Sequence, residues 1–159
     1  MSAASTAAEP TPAERPLAIY VGLMGTFGAA LGAVLLTAEA RGRLPERIPA
    51  QDLLLAGVAG HKLARLIAKE EVTAPIRAPF VATRIEDGEP EEEPAGSGVR
   101  RALGELLTCP SCVGQWACAG FVGGMLVAPR PVRAVAAVFA ADAISDFLHV
   151  AYRAAKTRA

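Results

Sequence analysis

The chain has 159 residues, enough for one domain; 52% are hydrophobic and only 5% aromatic, so a large soluble aromatic core is excluded. With a mean hydropathy of +0.33, this balance points to a membrane protein. Sixteen basic and sixteen acidic residues cancel to zero net charge, which removes any whole-molecule attraction to nucleic acid, and no nucleic-acid partner is expected.

Residues 1–16 are rich in Ala, Pro, Thr and Glu and read as a disordered leader. The uncharged run Leu17–Thr37 follows. It exceeds the roughly 7–15 apolar residues of a signal peptide, and the leader carries Glu9 and Glu14 against Arg15, so it is expected to stay despite the cleavage-like Ala38-Glu39-Ala40. About 20 helical residues at a rise of about 1.5 Å match a hydrocarbon core of about 30 Å. Gly25, Ala29 and Ala33, and Gly28 with Gly32, have helix-contact spacing. Close packing and plain abundance of small residues both account for it.

Residues 52–68 form a second candidate span, amphipathic rather than uniformly apolar. His61, Lys62, Arg65 and Lys69 fall within an arc of about 100°, with Leu53, Leu63, Leu66 and Ile67 away from it. Such a helix crosses a membrane only with a polar partner helix or local water, and otherwise lies flat at the interface. A long loop, 69–111, comes next. Pro75 and Pro79 flank Arg77 and predict an extended surface segment there; the acidic stretch 86–98 reads as a solvated linker. From Val99, apolar residues recur at Ala102, Leu103, Leu106 and Leu107, the spacing of a short interfacial helix.

Residues 112–128 are a third, uncharged span with Trp116 near its start and small residues at helix-contact spacing. Pro129-Arg130-Pro131 predicts a tight turn into a fourth span, 132–152, followed by a basic tail, 153–159. The expected fold class is therefore all-α: an integral membrane bundle of four transmembrane helices plus a short interfacial helix. With the N-terminus cytoplasmic, that side holds Arg15, Lys69, Arg77, Arg84, Arg100, Arg101, Arg153, Lys156 and Arg158. The other side holds Arg41, Arg43, Arg47, Arg130 and Arg133, an asymmetry that favours a cell-membrane protein with both termini and the long loop inside.

Two groups of residues carry chemistry. In the fourth span, Asp142, Ser145, Asp146 and His149 share an arc of about 100°, and the second and fourth spans run the same way. Lys62 lies seven residues before Lys69 and Asp146 seven before Arg153, so Lys62 or Arg65 should meet Asp146, with His61 nearer Asp142. Two neutralised helices held by buried charge, or a proton-coupled carrier using Asp142, Asp146 and His149, are the alternatives.

The second group is Cys109-Pro110-Ser111-Cys112. Pro110 costs nothing at the first helical position, and the free N–H groups and dipole of the helix start stabilise a thiolate on Cys109, as redox or metal chemistry requires. No thioredoxin-like pattern surrounds it, and a zinc site would need four ligands. Whether it binds metal stays open, no cofactor is expected, and Cys118 reads as packing.

The segments Asp52-Leu53-Leu54, His61-Lys62-Leu63, Val72 to Phe80, Glu105 to Trp116 and Ser145-Asp146-Phe147-Leu148 together resemble a bacterial membrane-protein family, domain of unknown function 1360, over about Gln51 to Tyr152. The resemblance implies a small multi-pass protein, a sporulation-associated relative and no assigned catalytic residue; the family often has an aromatic residue where Gln115 stands here. The leading expectation is a non-enzymatic scaffold or assembly factor whose partners are the lipid bilayer and a second copy or other membrane proteins. A membrane dithiol protein acting through Cys109 and Cys112 is the rival.

Overall fold

The computed structural model describes residues 17–86 and 89–158, so the expected leader, 1–16, lies outside the described residues. Six helices and one hairpin follow in order: α1 (Leu17–Ala40), α2 (Ala50–Lys69), a 3-10 turn (Glu71–Thr73), α3 (Ala74–Arg77), β1 (Val81–Glu86), β2 (Glu89–Pro94), α4 (Gly98–Thr108), α5 (Pro110–Val127) and α6 (Pro129–Lys156). The molecule is mostly helical, but the strands make the all-α expectation too strict.

Helix α1 ends where Gly42 adopts φ 61°, a left-handed conformation that glycine takes without a Cβ penalty. The amides of Gly42 and Arg43 then satisfy the carbonyls of Glu39 and Ala38, both at 2.8 Å. Prolines open α5 and α6, where a missing N–H removes no helical hydrogen bond. The expected tight turn at Pro129-Arg130-Pro131 is therefore corrected: these residues form the first turn of α6, and Ala128, at φ −138° and ψ 70°, makes the reversal alone.

Helix directions follow from which residues meet. Gly60 lies against Cys118 and Ala64 against Gly114, so α2 and α5 are antiparallel. Phe27 stacks edge-on against Trp116 with centroids 5.0 Å apart, and Val34 sits against Gly123 seven residues further along both helices, so α1 and α5 are parallel. Phe121 meets Phe139, and Val132 meets Gly124, making α6 antiparallel to α5 and parallel to α2. Helix α2 is central, with α5 and α6 as its main neighbours.

Small residues make this packing possible. Ala56, Ala59, Phe121, Met125 and Ala136 form the core cluster, and no large side chain is fully enclosed among the described residues. At Gly60, an added Cβ would lie 3.3 Å from the Cys118 amide nitrogen; backbone approach of this kind, rather than enclosure of large side chains, is how helices associate when their outer faces need not be hidden. Those outer faces are apolar: Leu17, Met24 and Leu36 on α1 and Val138, Phe147 and Leu148 on α6 are all more than 60% exposed. Helices α1 and α6 are both long and apolar enough to cross a membrane, and so much exposed apolar surface is uncharacteristic of a soluble monomer.

The connection after α2 differs from its sequence reading. In place of an extended segment around Arg77, the chain forms a 3-10 turn and α3, with Pro75 in the first turn of α3 where it is tolerated. In place of a solvated linker across 86–98, Glu89–Pro94 pairs antiparallel with Val81–Glu86 in the register Val81↔Pro94 to Glu86↔Glu89. Helix α4 closes over β2, and at Gly104 an added Cβ would fall 2.5 Å from the Phe80 carbonyl oxygen, so only glycine permits this contact.

Candidate functional site

Lys62 is 9% exposed on the α6-facing side of α2. Its Nζ donates to Asp146 Oδ2 at 2.6 Å and approaches Asp142 Oδ2 at 3.2 Å. One ammonium thus bridges two carboxylates a helical turn apart, as their i, i+4 spacing permits. Both aspartate side chains are 55% exposed, so the cluster lies at the lip of the α2–α6 seam with its cation inside. His61, Arg65 and His149 are exposed and make no hydrogen bond or ion pair among the described residues. The structure brings Lys62, Asp142 and Asp146 together and leaves His61 apart.

A second ion pair joins the same helices at their other end. Asp52, 6% exposed, accepts from Arg133 Nε at 2.9 Å and Nη2 at 2.7 Å, a bidentate fork that fixes register. Sequence reasoning placed Asp52 and Arg133 without pairing them. Their signal was the same parallel alignment that matched Lys62 to Asp146, continued towards the helix starts.

Arg77 is the most enclosed charged side chain among the described residues, 3% exposed. Its Nη1 donates to the carbonyls of Ile67 (2.7 Å) and Glu70 (3.0 Å) and to Thr73 Oγ1 (2.9 Å). Its Nε and Nη2 hold the two carboxylate oxygens of Glu92 at 2.5 and 3.1 Å. The guanidinium therefore satisfies carbonyls that the end of α2 leaves without helical partners, while tying down the hairpin. Glu92 was missed because it sits in the acidic stretch read as linker. A hairpin signal was present: Asp87-Gly88 follows the alternating Val81-Ala82-Thr83-Arg84-Ile85.

Cys109 is the N-cap of α5, and its Sγ accepts the backbone N–H of Cys112 at 3.3 Å. The Cys112 thiol lies close enough to act as a donor to it. That hydrogen bond first, then backbone N–H groups of Cys112 and Ser111 and the charge of Lys69, hold the Cys109 thiol below its ordinary pKa against the opposing effect of burial. All three cysteines are free, and no cluster of three or more metal-binding side chains exists among the described residues. The arrangement can supply a nucleophilic thiolate. Its reaction with a maleimide is expected to persist to lower pH than that of an ordinary thiol, and Cys112→Ala should move the rate profile up in pH by removing the donor. Identical profiles for the two proteins would contradict this account.

Comparison with known proteins adds a family. Residues 54–152 match the family described as "Protein of unknown function (DUF1360)". A stretch of 75 residues is 40% identical to "Sporulation protein YjcA" of Bacillus subtilis (strain 168), covering 44% of this chain and 63% of that relative. The chain thus matches somewhat less than two thirds of the relative's length. No solved structure matches. The family match takes in Lys62, Arg77, the Cys109–Cys112 pair, Asp142 and Asp146 and covers most of the chain, and on that evidence the chain belongs to the DUF1360 family.

Proposed function

We propose that this protein is a multi-pass membrane scaffold or assembly factor without enzymatic activity, spanning the bilayer four times through α1, α2, α5 and α6. The observation that carries the reading is the inversion of its surface. Large apolar side chains on α1 and α6 face outward, while Ala56, Ala59, Gly60, Gly123 and Ala136 let the helices approach closely around a few larger side chains such as Phe121 and Met125, which suits lipid as the solvent. Helix α5 carries no charge, and α2 holds Lys62 against two carboxylates of α6, so its charge need not face hydrocarbon. Exposed Val72, Ile76 and Val99, near the α2 C-terminus and the start of α4, would seat the hairpin and α4 on the cytoplasmic surface. Both termini then lie in the cytoplasm. The partners are lipid and another membrane protein or a second copy, and the process, sporulation, is carried over from the relative's name alone.

The full chain is expected to stay with membranes through an alkaline carbonate wash and to be released by detergent. Recovery in a high-speed supernatant without detergent would overturn the reading. Capture of a stable partner in detergent would identify what it assembles.

The geometry at Cys109 favours one second reading, a membrane dithiol protein. In that role the Cys109 thiolate would attack a disulfide-bearing partner protein, and Cys112 would resolve the mixed disulfide. The two cysteines would end joined and the partner would leave as a dithiol, having taken two electrons and two protons. Loss of phenotype in Cys109→Ser at normal protein level would favour this reading over the scaffold.

A further inference from the structure

The end of the bundle opposite the dithiol contains a cavity of about 690 Å³ between the α1–α2 connection and the α5–α6 reversal. Its walls are uneven in chemistry. Met125 and Leu126 belong to its apolar side, while Arg43, Arg130 and Arg133 bring three positive charges against the single carboxylate of Asp52. Arg133 is committed to Asp52. Arg43 donates to the Val127 carbonyl and keeps its charge uncompensated, and exposed Arg130 makes no hydrogen bond or ion pair among the described residues.

Pro129 and Pro131 contribute no N–H to this end of α6, so the guanidinium groups are the strongest anion-binding donors that α6 brings to the cavity. We infer that the cavity is a binding site for an anionic phospholipid, its phosphate held by Arg43 and Arg130 and its acyl chain lying against the apolar wall. Guanidinium forks match phosphate oxygens, and a free inorganic anion would leave the apolar wall unused. The Asp52–Arg133 pair serves as the fixed edge of the site, because a carboxylate already chelated by one arginine repels a second anion less. The inference rests on the membrane-spanning reading above, in which this end lies at the lipid headgroups.

The test uses the full chain purified in detergent and native mass spectrometry with phosphatidylglycerol, phosphatidylcholine of the same acyl chains, or inorganic phosphate. Wild-type protein is expected to retain phosphatidylglycerol over phosphatidylcholine by about tenfold or more, given the attraction of each added basic residue near anionic lipid. The double variant Arg43→Gln with Arg130→Gln should lose that preference while keeping its thermal unfolding temperature. Arg153→Gln with Arg158→Gln, at the other end, should keep it.

Equal retention of both lipids, or an unchanged preference in the double variant, overturns the inference. Inorganic phosphate displacing the lipid at equal concentration also overturns it, by showing a free-anion site. Failure of the membrane-spanning reading would show separately, as solubility without detergent.

Discussion

Replacing Arg77 with alanine is expected to cost about 3–5 kcal/mol, the usual penalty for removing one partner of a buried charge pair. The consequence is local before it is global. The end of α2 loses the donor that serves the Ile67 and Glu70 carbonyls, and the Glu92 carboxylate loses both of its contacts. A thermal scan in detergent should show the unfolding temperature falling by roughly 10 °C or more, with proteolysis beginning in the hairpin. Arg77→Lys keeps the charge but loses the planar fork, so it should fall between wild type and Arg77→Ala. Glu92→Gln should do less harm, because the carbonyl contacts of Arg77 survive. An Arg77→Ala protein that unfolds at the wild-type temperature would show that the Arg77 contacts contribute little.

The second large effect concerns Lys62. Lys62→Gln leaves Asp142 and Asp146 facing each other without a cation and should lower the amount of membrane-inserted protein several-fold. The triple variant Lys62→Gln, Asp142→Asn, Asp146→Asn removes all three charges and should recover that level. A double variant retaining Asp142 should recover only in part, because the ammonium contacts both carboxylates. This is the pattern of a structural charge cluster. A different outcome, in which Asp146→Asn keeps normal protein level and abolishes a proton-coupled flux, would instead identify the carrier that the Asp142, Asp146 and His149 stripe suggests.

Much of the helical scaffold was legible because helix signals are local. A run of uncharged residues marks α1, proline marks the start of α5, and counting back from Lys69 and Arg153 aligns Lys62 with Asp146 without any knowledge of packing; the prolines that open α6 read instead as a turn. The same counting left Lys62 and Arg65 as alternative partners of Asp146 and put His61 near Asp142, where Lys62 stands instead, because a wheel angle says which face a residue shares but not which side chain reaches across. Lys62 reaches Asp142 and Asp146 because α2 turns that residue into the seam.

What only the tertiary structure decided are contacts whose value appears after distant segments meet. An acidic run rich in proline is by composition a linker, and it becomes strand β2 because Arg77, from α3, meets Glu92 and because Gly104 lets α4 approach Phe80 and Pro94. Likewise Asp52 and Arg133 are ordinary charges near helix ends until the close approach of α2 and α5 at Gly60 and Cys118, and the reversal at Ala128, bring α6 alongside α2. Helix and strand periodicity are written residue by residue along the chain, whereas the partner of a buried charge depends on register, and register is set by where the smallest side chains allow backbones to touch.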